Sequence, residues 1–363
     1  MKGKTMLLEF RKGWKGFTIF TLIIVLTTAG MAQVYPVLNE TVGEAKGEFE
    51  GGEFVQMRIE EDVIHLSWKE VNGTQEYIVI EDNASHMATS WEVNRTKNNQ
   101  TIIEQSEDKG DERYFGVIAV IDDEKKPVGI ASTVERKDPL EELMDTPYFR
   151  MFTAGREDVR MDEIEGFMSV ELYSWFILLV GVYLGYLSVK SVTDDFEEDR
   201  MDMIFSTPLS RIQYLAEKFL AFGIFTLILL FISGLALTLS VYSIGASAGL
   251  KFHPFLVSIL ISWPMFLVII SVSIFFAVLF ERSGPAVGAM FAVILVQYAL
   301  FMAGHMLEKL QFVLPYTISH YWDYNSVLLD GVVSPGDLFL LLVIAGVIFV
   351  ISIWTFEKTD ISI

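Results

Sequence analysis

The sequence predicts a polytopic α-helical membrane protein with six transmembrane helices and an all-β sandwich inserted between helices one and two. Three observations carry that prediction. Six stretches reach the roughly 20 mostly apolar residues that a spanning helix needs: Phe17–Val37, Met168–Val192, Phe219–Ile244, Phe255–Phe280, Ala286–Met306 and Leu338–Trp354. The first two are separated by a long stretch without such a run, too long for a connecting loop. Charge is also unevenly divided. Residues 40–165 hold 31 acidic and 14 basic side chains, within a 363-residue chain of formal charge −20. The remainder is a nearly neutral apolar bundle.

Composition excludes several functions. An acidic chain offers no basic surface for phosphate backbones, so nucleic acid is not a partner. The absence of cysteine removes disulfides, thiol catalysis, iron–sulfur clusters and cysteine-based zinc sites, and leaves the redox compartment open. The 5 histidines show no ligand spacing, so no metal site is expected.

Lys2, Lys4, Arg11, Lys12 and Lys15 precede the first span and place the N-terminus in the cytoplasm. Counting spans, Lys190, Arg200, Arg211, Lys218, Arg282 and Lys358 then also fall inside, and only Lys251 and Lys309 fall in the short outer loops. Both termini are therefore expected in the cytoplasm of a cell (plasma) membrane protein, with residues 38–167 outside. The N-glycosylation acceptors Asn39, Asn72, Asn83, Asn94 and Asn99 all lie in that outer region. The first span has a second reading. Ala29-Gly-Met-Ala32 has the small residues of a signal-peptide cleavage site, whereas the apolar run continues to Val37 as a retained helix would.

From about residue 53 to 137 the period becomes two. Val55-x-Met-x-Ile59, Val63–Trp68, Tyr77–Ile80, Thr101–Ile103, Tyr114–Ile121 and Gly129–Val134 read as short strands between turn residues. Such runs predict a seven-strand sandwich. Leu66-Ser-Trp68, Val71-Asn-Gly-Thr-Gln-Glu-Tyr77 and Phe115-x-Val117-x-Ala-Val-Ile-Asp122 resemble the second, third and sixth strands of a fibronectin type III module. The resemblance departs at the tyrosine-corner position, which holds Arg113. Leu66, Trp68, Tyr77, Phe115 and Val117 are the predicted core. Residues 138–167, with Phe149, Met151 and Phe152 among charges, read either as an amphipathic surface segment or as a linker.

Residues 168–363 hold the five further spans and a cytoplasmic segment, 193–216. In that segment Thr193 and the acids after it suit a helix N-terminus. Phe196, Arg200, Met203 and Ile204 recur at helical spacing, and Ser206 or Thr207 before Pro208 suits a second cap. Two short helices at a bend with an apolar ridge form a docking surface.

Glu198-x-x-Met-Asp-Met-Ile-Phe-Ser-Thr-Pro208-Leu-Ser-Arg211-x-x-Tyr-Leu-x-x-Lys218 resembles the coupling segment of type-2 ATP-binding-cassette transporter permeases, with Met201-Asp202 in place of a Gly-Thr pair. Leu7–Gly16 resembles the family's amphipathic elbow helix, which would occupy residues 1–16. Phe149–Gly155 and Gly166-Phe-Met resemble its entry into the second span. The resemblance implies a permease that dimerises with itself or a second permease, sits among membrane lipids, and exports its cargo. It also implies a separate phosphate-loop ATPase, holding ATP-Mg and docking on Phe196, Arg200, Met203, Ile204, Pro208 and Arg211. No cofactor or catalytic residue is expected in this chain. Gly3-Lys4-Thr5 is its only Gly-Lys-Thr and lacks the upstream glycine of a phosphate loop. Charges within the spans are few, with Glu171, Lys190 and His305 near span ends, which favours external drive over ion coupling.

Two other functions fit parts of the chain. A membrane-anchored adhesion or sensory protein would use the sandwich for binding. An intramembrane serine protease would use Ser247, from Gly245-Ala-Ser247-Ala-Gly249, with His305.

Overall fold

The computed structural model describes residues 4–49, 55–60, 63–82, 90–104, 113–121, 124–132, 146–245 and 253–358. The chain divides into two compact units, Val37–Glu142 and the combination of Met1–Pro36 with Leu143–Ile363.

The Val37–Glu142 unit is built on β1 (Val55–Glu60), β2 (Val63–Trp68), β3 (Glu76–Asp82), β4 (Trp91–Thr96), β5 (Gln100–Glu104), β6 (Tyr114–Ile121) and β7 (Glu124–Ser132). Every pairing is antiparallel. One sheet has the order β1-β2-β5 and the other β4-β3-β6-β7. Side chains alternate across a strand, so Ile64, Leu66 and Trp68 turn to one face of β2. There they join Tyr77 and Val79 from β3, and Phe115, Val117 and Ala119 from β6, in a single core between the sheets. The five core residues predicted from sequence are all among the buried residues. Trp68 meets Tyr77 edge to face at 5.3 Å. The Tyr77 hydroxyl accepts a 2.8 Å bond from the Val71 amide, fastening a turn in which Gly73 has a φ of +86°. Arg113 pairs with the buried Glu81 and lies 5.1 Å from the centre of the Phe115 ring.

The helices begin with α1 (Lys4–Phe49). Residues 4–16, where the elbow helix is expected, are helical and continuous with the first span. Its first proline is Pro36, so nothing earlier interrupts the hydrogen-bond ladder. The helix also continues past Val37, which places Asn39 on helical backbone.

The other helices are α2 (Pro147–Phe152), α3 (Ile164–Glu197), α4 (Arg200–Phe205), α5 (Arg211–Ser243), α6 (His253–Leu260), α7 (Trp263–Phe280), α8 (Ser283–Met306) and α9 (Pro335–Lys358). Among the described residues, six segments are long and apolar enough to cross a membrane: Trp14–Val37, Ile164–Glu197, Arg211–Ser243, Pro254–Phe280, Ser283–Met306 and Pro335–Lys358. The fourth is two helices meeting at residues 261–262. Pro264 lacks an amide hydrogen and suits the first turn of α7. The Trp263 indole donates 2.9 Å to the Gly223 carbonyl and holds this joint against α5.

Leu26, Leu239, Val350 and other large apolar side chains are exposed along the spans. Such stripes suit hydrocarbon and would be a liability in water. Several hydroxyls inside the bundle are satisfied locally, which lipid favours. Ser188, Thr226, Thr238, Ser273 and Ser352 bond back to the carbonyl four residues earlier. Gln33 of α1 donates 2.8 Å to each of Ser240 and Ser243 on α5.

Residues 146–163 prove to be a short helix and a loop packed on the bundle. Thr146 caps α2, and Phe149 is buried with Val159 and Val170. Gly166 permits close approach of this loop, since a Cβ there would stand 1.9 Å from the Arg160 carbonyl oxygen. Asn325, between α8 and α9, donates 2.7 Å to the Thr153 carbonyl and accepts a 2.6 Å bond from Ser169.

For the sandwich, Leu66→Ala removes side-chain volume from a fully enclosed site. The expected cost is about 2–5 kcal/mol, visible as faster amide exchange in β2, β3 and β6 while exchange in α5 and α7 is unchanged.

Candidate coupling site at the bend between the second and third spans

The bend is built from the end of α3, the short α4, residues 206–210 and the first turns of α5. Its local geometry differs from the sequence expectation in three respects. Thr193 is no helix N-cap. It lies inside α3 and its hydroxyl donates 3.1 Å to the Val189 carbonyl. Val189 and Val192 are buried in the bundle core, and that packing carries the helix on to Glu197. The second cap is Ser210 rather than Ser206 or Thr207. Proline disfavours helical backbone at the residue before it, so α5 starts beyond Pro208. The Ser210 hydroxyl there accepts a 3.1 Å bond from the Gln213 amide. Ser206 and Thr207 bond back onto the last carbonyls of α4, at Met203 and Ile204.

Between α3 and α4, Asp199 adopts a left-handed conformation at φ +52°. The helical face expected to run from Phe196 through Ile204 is broken there. Phe196 belongs to α3 and turns inward, its ring 5.9 Å from Phe356 of α9. Phe205 and Tyr214 pack against the same ring, at 6.0 and 5.8 Å. Arg211 reaches α9 too, donating 2.8 Å to the Phe356 carbonyl and 3.2 Å to that of Glu357. A cation at the last carbonyls of a helix complements its dipole.

A run of acids at the C-terminal end of α3 opposes that helix's own dipole, and tertiary partners offset it. Glu197 accepts a 2.7 Å bond from the Ser283 amide and a 2.8 Å bond from its hydroxyl, capping the N-terminus of α8. Lys190 pairs with Asp194 at 2.5 Å.

At the centre sits Asp195, buried. It accepts from the Lys218 ammonium at 2.9 Å and from the Tyr214 hydroxyl at 2.7 Å, and Arg200 stands 3.3 Å from its other oxygen. Lys218 is 0% exposed; it also donates 2.6 Å to the Ser191 carbonyl and lies 5.0 Å from the centre of the Tyr214 ring. A buried charge is tolerated when it is paired and hydrogen-bonded, and here both conditions hold. The cluster joins α3, α4 and α5.

The six predicted docking residues therefore divide. Phe196, Arg200, Ile204 and Arg211 are partly buried and brace the bend. Met203, 71% exposed, and Pro208 face outward with Asp202, Ser206 and Thr207. Asp195, Lys218, Tyr214 and Phe356 were absent from the predicted set.

Other sequence candidates fall elsewhere. Asn72 and Asn99 are exposed, whereas Asn94 is partly buried and bonds Thr101. Asn83 lies outside the described residues, as does Ser247. His305 packs against Phe301 and leaves no room for a Cβ at Gly155. Glu171 is partly buried within a π-helical turn, Ser169–Tyr173. Among the described residues, no group of histidines and carboxylates has the arrangement of a metal site.

The six candidate spans define a multi-pass membrane protein. The family model described as ABC-2 family transporter protein matches residues 7–361, and the chain belongs to that family. Membership makes it the membrane permease of an ATP-binding-cassette transporter and implies association with ATPase subunits. A comparison with curated proteins finds no match.

Replacing one member of the buried pair isolates the other. Lys218→Met leaves Asp195 without its nearest cation and is expected to cost about 3–5 kcal/mol. The double variant Asp195→Asn/Lys218→Met is expected to recover part of that loss. Thermal unfolding of the detergent-solubilised protein reads both, and additive losses would argue against direct pairing.

Proposed function

We propose that the chain is the export permease of this transporter, energised by a separate ATPase that docks on the outward ridge formed by Met203 and Pro208. One observation carries the reading. An apolar methionine and a proline are presented at the end of the bundle, on a bend whose aromatic side chains, Phe196, Phe205 and Tyr214, are committed to bracing it. Met203 is a flexible apolar contact, and the ring of Pro208 fixes φ at its position in the bend. Displacement of α4 by the ATPase reaches α5 through Arg200, Asp195 and Lys218, and reaches α9 through Phe205 and Phe356. These links support a route by which ATP hydrolysis moves the spans. The chain needs no cofactor of its own, and ATP-Mg sits on the partner.

The distribution of lysine and arginine supports a cytoplasmic bend and termini, with the sandwich outside a plasma membrane. Its three-plus-four strand arrangement supports a fibronectin type III-like module at residues 53–137. Exposed Asn72 is then the sequon most open to a glycan among the described residues, since the Asn99 amide donates 3.1 Å to the Trp68 carbonyl. Transport proceeds in a dimer of two permeases embedded among membrane lipids.

The test is recovery of the ATPase. Full-length protein purified from its native membrane is expected to carry a phosphate-loop ATPase, and Met203→Asp to lower that recovery at least tenfold. Because Met203 is exposed, the variant should keep its unfolding temperature. Equal recovery with both proteins would sink the proposed ridge.

A further inference from the structure

At the same end of the bundle a cleft of about 330 Å³ opens between the start of α1, the end of α3 and α5. That volume lies within the range of small-molecule sites. Its lining is divided by chemistry. Phe17, Leu187, Phe222 and Phe225 form an apolar side, with Phe17 and Phe225 in ring contact at 4.5 Å. Lys190, Asp194, Glu198 and Arg200 form a charged side. The two sides meet where the apolar spans end, which is where a bilayer passes from hydrocarbon to headgroup. The cleft is thus amphipathic in the same sense as the surrounding lipid.

The charges narrow the ligand. Both signs are present and both are reachable: Lys190 is 31% exposed and Glu198 is 61% exposed. Lys190 carries three donors and gives its 2.5 Å contact to Asp194, while Glu197 stands 4.0 Å away. Arg200 gives Nη2 to Glu198 at 3.1 Å and to the Asp194 carbonyl at 3.2 Å and turns Nε toward Asp195 at 3.3 Å, so Nη1 is the nitrogen it can offer a phosphate. A phosphate can therefore be received by the two cations without displacing the carboxylates. Among the described residues the lining, with Asp195, holds three carboxylates against two cations, a balance that suits a headgroup bringing an ammonium as well as a phosphate.

We propose that this cleft binds a zwitterionic phospholipid with a primary ammonium headgroup, its phosphate between Lys190 and Arg200, its ammonium at Asp194 and Glu198, and its apolar end along Phe222 and Phe225. The lipid fills the gap between α1 and the bend, and shares Arg200 with the buried Asp195 cluster. Occupancy thereby stiffens the bend from the membrane side. Lipid retention requires only that the chain spans a membrane, so it can be read whether or not an ATPase docks on the ridge.

Full-length protein is purified, delipidated and placed in phosphatidylcholine discs doped with either phosphatidylethanolamine or phosphatidylglycerol. Lipid retained after mild extraction is counted by native mass spectrometry. One phosphatidylethanolamine per chain is expected, held at least tenfold better than phosphatidylglycerol. Lys190→Ala/Glu198→Gln, which spares the Asp195–Lys218 pair, should lower retention at least fivefold. Leu187→Trp fills the cleft with every charge in place and should do the same. Equal retention of the two lipids, or retention unchanged in both variants, overturns the proposal.

Discussion

The bend depends on one buried ion pair. Asp195 and Lys218 lie 23 positions apart in sequence and 2.9 Å apart in space, and neither is tolerable in that place alone. Moving an ammonium or a carboxylate out of water costs several kcal/mol even in a relaxed protein. The cost is met only when α3 and α5 stand at one separation, with Tyr214 and Arg200 completing the shell. A pair of this kind adds little net stability. What it fixes is register: the ends of two spans, and the short helix between them, meet in an arrangement that pairs Lys218 with Asp195 and brings Tyr214 and Arg200 to the same carboxylate.

Helix ends supply the second layer of bracing. Glu197 of α3 caps α8, and Arg211 of α5 caps α9. Each charge sits at the helix terminus whose dipole favours it. Four spans are thereby joined at one end by side chains that all issue from residues 195–218. The ring of Phe356, surrounded by Phe196, Phe205 and Tyr214, packs into the same junction. A force applied to α4 meets a connected set of polar and aromatic contacts rather than a loose loop, as a coupling element requires. The sandwich has its own sheets and core, so its fold asks nothing of this junction.

Much of the architecture was legible in sequence because its signals are local. Spans declare themselves by apolar length, and the strands around Leu66 and Phe115 by alternation. The bend was read less well, for reasons that are tertiary. Thr193 followed by acids has the composition of a helix start. Only the packing of Val189 and Val192, and the capping of α8 by Glu197, keep α3 running. Phe196 and Arg211 have the character of docking residues until Phe356, some 145 positions beyond Arg211, is brought beneath them. Lys218 looked like an ordinary cytoplasmic cation, since nothing in its neighbourhood says that it will be wholly buried against Asp195. The cap at Ser210 does carry a local signal, since Ser-x-x-Gln just before an apolar run is a helix-start pattern.

The absence of cysteine makes the decisive measurement direct. A single cysteine in place of Met203, carrying a photo-crosslinker, can be activated in native membranes with no competing thiol in this chain. Docking on the ridge predicts a crosslink to a phosphate-loop ATPase from position 203, and none from the same label at Asn72 in the sandwich. Crosslinking from position 72 with none from 203 would contradict it, because the ATPase would then meet a different surface of the protein.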